Sequence, residues 1–128
     1  MPTPKLVSKS MVLSIHARQI EKFCGTSGVR DEGLLESALS QPQATFGGQF
    51  LHPTISEQAA AYLYHIAMNH PFIDGNKRTA FAVMDTFLRL NGCALNLTDD
   101  RAYDLVMRVA RGTMTKEELS TEFESCIV

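Results

Sequence analysis

The sequence predicts an all-α fold: a compact, single-domain bundle of about six helices, with a short non-helical flap near residues 42–53. Three observations carry that prediction. Apolar residues recur at helical spacing along most of the 128 positions. Thr54, Thr98 and Thr115 stand as caps before apolar runs, and Gly25, Pro42, Asn91-Gly92 and Gly112 follow such runs as stops. Only "PQATFGGQFLHPT" breaks the helical pattern, with two prolines, a Gly-Gly pair and alternating apolar residues.

The first helix is expected over residues 8–24, where Val12, Ile15, Ile20 and Phe23 share one face and Gly25 stops the run. "RDEGLLESALSQP" reads as a short second helix. Its acidic residues favour the positive end of the helix dipole, Leu34, Leu35, Ala38 and Leu39 form its stripe, and Pro42 closes it. The Gly-Gly segment then suits a loop or a short hairpin. "TISEQAAAYLYHIAMNH" opens on a capping box, Thr54 with Glu57, and its alanine-rich body reads as a helix buried on most sides. Pro71 disfavours the α conformation at His70, so this helix ends near there. A fourth helix spans roughly 75–91. "CALNLT" is a short extended link. Thr98-Asp99-Asp100 starts a fifth helix ending at Gly112, and Thr115 with Glu118 caps a sixth.

The composition excludes several function classes. A length of 128 residues matches one domain, and 45% hydrophobic with 20% charged residues is ordinary for a globular protein. Net charge is −2 with a pI near 6.0, whereas a chain that grips nucleic acid needs a basic excess. Cys24, Cys93 and Cys126 lie too far apart for a CxxC-type metal pair and read as idle thiols of a reducing cytosol. The N-terminal segment interrupts its apolar residues with charges, so no signal peptide and no membrane span is expected. A cytoplasmic location follows. The sequence has no Walker run and no HExxH, and its four histidines lack the spacing of a zinc site.

"NHPFIDGNKRTAF", residues 69–81, concentrates polar chemistry at the start of the fourth helix. Gly75 permits close approach of a ligand to the backbone. The first-turn amides beyond it have no helical partner and favour an anion. Lys77 and Arg78 add cations at an end where the dipole disfavours them unless an anion sits between. Together these residues describe a phosphate site. Asp74 would repel a phosphate unless a metal lies between them, and Mg²⁺ held by one carboxylate and phosphate oxygens resolves the conflict. Asn76 has an amide to offer a phosphate oxygen. His70, on the incoming segment, is the candidate general base for a hydroxyl. Phe72 is expected to anchor the loop in the core. Taken singly, Asp74 reads more readily as a helix cap, His70 as a structural histidine, and Lys77 and Arg78 as surface charges. Their coincidence favours the site.

"HPFIDGNKRTAF" resembles the Fic/Doc superfamily signature, whose Fic branch reads H-P-F-x-D/E-G-N-G-R-x-x-R. His70, Pro71, Phe72, Asp74, Gly75, Asn76 and Arg78 fall on matching positions. Lys77 replaces the second glycine and Phe81 the last arginine, and both departures are those of the Doc (death on curing) branch. "IHARQIEKFCGTSGVRDEGLLESALSQPQATFGGQ" also looks like the Doc N-terminal half. The resemblance implies a compact helical fold and a toxin of a type II toxin–antitoxin module. Such a toxin is a kinase that uses ATP and Mg²⁺ to move the γ-phosphate onto a hydroxyl of elongation factor Tu, halting translation. Fic proteins instead transfer AMP, the first alternative; an idle antitoxin-binding module is the second. By the same resemblance the partner is an antitoxin whose disordered C-terminal segment folds on the toxin, and nucleic acid is met only through it. The flap residues Phe46, Gly47, Gly48 and Gln49 resemble the segment that docks the target by strand addition. "STEFES" fits the Ser-x-x-x-Glu core of a self-inhibitory helix in some Fic proteins. Ser125 stands where Gly or Asn is expected, so the block is expected from a separate antitoxin.

Overall fold

The computed structural model describes residues 3–128. Six helices follow in order: α1 (Lys9–Phe23), α2 (Glu32–Ser40), α3 (Ile55–Asn69), α4 (Asn76–Leu90), α5 (Asp99–Ala110) and α6 (Lys116–Cys126). The all-α class and the helix count agree with the sequence reading. Between α2 and α3 lies a two-stranded hairpin, β1 (Thr45–Phe46) and β2 (Gln49–Phe50). Gly47 and Gly48 have φ of 60° and 81°, the left-handed pair that a two-residue hairpin turn demands.

α3 is the centre of the molecule and packs against α4, α6, α2 and α5. Ala59, Ala60 and Ala67 let neighbouring helices approach, while Leu63 and Ile66 fill the space between them, all fully or almost fully buried. Tyr62 reaches from α3 to the N-terminal segment, where its hydroxyl accepts from the Val7 amide at 2.9 Å and donates to the Val7 carbonyl at 3.3 Å. A buried hydroxyl thus has both partners.

The caps show how local chemistry sets the boundaries. Thr115 and Glu118 form the full reciprocal box. Thr54 forms only half of one: its hydroxyl accepts from the Glu57 amide, but then donates to the Glu57 carboxylate at 3.0 Å, so that carboxylate is engaged by the hydroxyl. The end of α1 also differs from expectation. The left-handed residue is Cys24, with φ 55°, and Gly25 follows it. The glycine is needed for space, because a Cβ at Gly25 would lie 2.7 Å from Asp74 Oδ2. The "CALNLT" link is extended and pairs with the C-terminal residues through Ala94, Leu95 and Asn96, an interaction no local pattern announces.

A partly buried polar cluster joins His65 of α3, Lys116 of α6 and His52. The Lys116 ammonium donates to His65 Nε2 at 3.1 Å, so that nitrogen must be unprotonated. Burial, then the Lys116 charge and His52, hold His65 down at about 4, from an ordinary 6.5. His52 is lowered by the same two leading causes, burial and Lys116, while Glu57 and Glu117 act the other way. A histidine with a depressed folded value resists protonation in the native state. Its contribution to stability is complete above about pH 6.5 and is lost as pH falls from there toward 4. His65→Gln should therefore show a shallower fall of melting temperature over that interval than the wild type. Equal slopes would assign the acid lability to other groups, His52 and the carboxylates among them.

Candidate active site

The loop between α3 and α4 is held from outside by α1 and the α1–α2 connection. Phe72 is fully buried and stacks on the His16 ring, with centroids 3.8 Å apart and planes 8° from parallel. His16 Nε2 lies 2.9 Å from the Asp74 carbonyl. A carbonyl only accepts, so this nitrogen carries the proton. The Ile73 amide donates to the Gly28 carbonyl at 3.1 Å, and Val29 bridges Phe72. Arg30 Nε–H donates to the His70 carbonyl at 2.7 Å.

His70 is the C-cap of α3 in left-handed conformation, φ 47° and ψ 54°. The side chain is exposed, and among the described residues its ring meets no hydrogen-bond partner. It is free to face an incoming hydroxyl.

Asp74 does not cap α4. The N-cap is Gly75, φ 76°, and among the described residues the first turn has no side-chain cap. Asp74 instead accepts from the Gly75 amide on Oδ1 at 2.8 Å and from the Thr26 amide on Oδ2 at 3.0 Å. These two bonds, Thr26 first, and then the Arg78 and His16 charges hold its carboxyl below the usual aspartate range. An exposed, ionised carboxylate with one lone-pair direction left on each oxygen suits a hard cation that shares phosphate oxygens. Asp74 could hold such a cation.

Asn76 has a second role besides the one its position predicts. Its Oδ1 accepts from the Phe72 amide at 2.9 Å and its Nδ2 donates to the Phe72 carbonyl at 3.0 Å. One amide hydrogen remains for a ligand. Lys77 and Arg78 are exposed on the first turn of α4. The Arg78 guanidinium lies 4.0 Å from the Phe23 ring centroid, a cation–π contact that fixes its direction. The approach of Gly75 to α1 is close, since a Cβ there would lie 3.2 Å from Ile20 Cδ1.

A cleft of about 680 Å³ opens beside these residues, floored by Gly75, Lys77 and Arg78 and walled by Phe23, Phe81 and Tyr103. Its volume suits a nucleotide-sized ligand. Asp74, Gly75, Asn76, Lys77 and Arg78 all line it, and the structure thus brings these predicted residues together. His70 stands outside the lining, at the other end of the loop. Among the described residues α6 supplies nothing to the cleft, so Ser120 and Glu124 do not reach it. Phe46 is 81% exposed at the hairpin tip, and a Cβ at Gly47 or Gly48 would meet nothing within 4 Å. Gln49 is exposed beside them.

Sequence reasoning missed His16, Thr26 and Arg30. His16 left a trace, for it follows Val12 and precedes Ile20 at four-residue steps on the apolar stripe of α1. Thr26 acts through its backbone and Arg30 through a distant contact, and neither leaves a local signal.

The family model described as "Fic/DOC family" matches residues 6–88, from the N-terminal segment through most of α4. A protein named "Toxin Doc" from Mycolicibacterium smegmatis is 43% identical over 102 residues, 78% of each chain. "Protein kinase doc" from Escherichia phage P1 is 30% identical over 109 residues, 85% of each chain. The matched span contains the motif loop and the α1 and α1–α2 residues that brace it. Motif and scaffold thus agree, and the chain belongs to the Fic/DOC family.

Proposed function

We propose that this chain is the toxin of a type II toxin–antitoxin module, a cytoplasmic kinase that moves the γ-phosphate of ATP onto a hydroxyl of a translation protein. Elongation factor Tu is the first target to assay. The observation that carries the reading is Lys77 on the uncapped first turn of α4, between Gly75 and the Phe23-stacked Arg78. A glycine at 77 would leave room for phosphates to run deep along the helix end. A lysine fills that room and offers a charge, and Phe81 supplies no second cationic clamp. These features favour a nucleotide that presents its terminal phosphate outward. The names of the two relatives, a toxin and a protein kinase, support the same reading.

The chemistry then falls to few residues. The first-turn amides, Lys77 and Arg78 hold the phosphates. The acceptor hydroxyl oxygen attacks the γ-phosphorus while its proton passes to the His70 ring. The bond from the γ-phosphorus to the bridging oxygen breaks, and ADP leaves with the electron pair. Asp74 would hold Mg²⁺, which when bound would neutralise charge on the phosphate oxygens. The hairpin, with Phe46 and Gln49 outermost, offers its edge to an extended stretch of the target. The cognate antitoxin blocks the site with a C-terminal segment that is disordered until it binds.

Incubation with elongation factor Tu or cell lysate and ATP labelled at either the α- or the γ-phosphate tests the reading. Label arriving from the γ-position is the expected result. Transfer from the α-position would make the protein an AMP transferase, and no transfer from either would make it an antitoxin-binding module. Asp74→Asn keeps the side chain's shape and removes its charge. It should lower transfer and flatten the dependence on added Mg²⁺; a magnesium titration like that of the wild type would leave Asp74 a bracing residue only.

A further inference from the structure

We infer that Arg30 is the positioning residue of His70, an inference that rests on His70 being the base. Pro71 prevents α3 from continuing, and the chain leaves the helix through a left-handed His70. That conformation costs a non-glycine residue energy, so the surroundings must hold it. The turn also strands the last carbonyls of α3 without helical donors. Arg30 answers both demands. Its Nε–H donates to the His70 carbonyl at 2.7 Å and an Nη2–H to the Asn69 carbonyl at 3.0 Å. The backbone amides of Arg30 and Asp31 donate to the Pro71 carbonyl at 2.7 and 3.1 Å. Three consecutive carbonyls are thereby fixed to one two-residue segment.

The side-chain type matters. A guanidinium is a rigid fork able to span two carbonyls, and its charge suits the negative end of a helix dipole. Among the described residues no carboxylate forms an ion pair with it, so the fork serves the helix end alone. The His70 ring has no hydrogen-bond partner of its own among those residues. What the structure fixes is the backbone from which the ring projects, and that backbone is what Arg30 holds.

The test compares Arg30→Ala and Arg30→Lys with the wild type by three readouts. These are single-turnover transfer at saturating ATP, nucleotide affinity, and the His70 ring resonance assigned by its loss in His70→Gln. Arg30→Ala should lower transfer roughly 10–100-fold, as small misplacements of a reacting group do, with nucleotide affinity within about twofold. Its His70 resonance should shift or broaden. Arg30→Lys keeps the cation at the helix end, and its rate should lie between the two. A wild-type rate in Arg30→Ala would overturn the inference, as would a rate loss with an unmoved His70 resonance. Collapse of resonance dispersion in both variants would overturn it too, because Arg30 would then serve the fold alone. If the wild type itself transfers nothing, the kinase reading fails, and the ring resonance still reports whether Arg30 orients His70.

Discussion

His70→Ala lowers phosphate transfer by roughly 10²–10⁴-fold, the range for loss of a positioned general base, and leaves nucleotide affinity almost unchanged. The two effects separate because the ring lies apart from the residues that line the cleft. The fold should also survive. His70 is exposed, its ring makes no hydrogen bond among the described residues, and Arg30 grips its backbone carbonyl, which alanine retains. Alanine must still adopt φ 47°, so a small loss of melting temperature is expected alongside the large loss of rate. In cells, expression of the variant should no longer arrest growth. A variant that remains toxic at matched expression would remove His70 from the chemistry.

Phe72→Ala should have the largest effect on stability, roughly 3–5 kcal/mol, the usual cost of emptying a buried aromatic site. For a chain of this size that corresponds to a fall of about 10–20 °C in melting temperature. The ring is fully buried and lies flat against His16, whose Nε2–H holds the Asp74 carbonyl. Its loss frees both faces of that arrangement. The loop should then lose its shape before the helices melt, so transfer should vanish even at temperatures where circular dichroism reports a folded protein. Phe72→Leu fills part of the space and should recover more than half of the stability, without the stacking that orients His16. A melting temperature within a few degrees of the wild type in Phe72→Ala would mean that the loop does not depend on this ring.

The helices were legible because their information is local. Thr54, Thr98 and Thr115 each cap an amide three residues on, and such spacing is visible in any sequence. The motif loop was legible for the same reason, with Asp74 through Arg78 contiguous at a helix start. What holds the loop was not. His16 acts on Asp74 across 58 positions, and Arg30 on His70 across 40. A histidine on an apolar stripe and an arginine before a capping aspartate have ordinary local explanations, so nothing sets them apart until the chain is folded. Gly25 shows the same limit. Read locally it is a helix stop, yet in the structure it is a gap that Asp74 occupies.

The stitching of residues 26–31 to residues 69–74 makes the site depend on long-range closure. Isolated helical turns form on roughly microsecond scales, whereas contacts between distant segments must first overcome loop-closure entropy. The bonds that shape the motif loop, from Thr26 to Asp74 and from Arg30 to Asn69 and His70, close loops of 48, 39 and 40 residues. The helices thus rest on local contacts, whereas the shape of the site rests on long-range ones. A chain that has its helices but not the docked α1–α2 connection therefore lacks the geometry of the motif loop. Local opening of that connection would thus remove the shape of the motif loop while the helices persist.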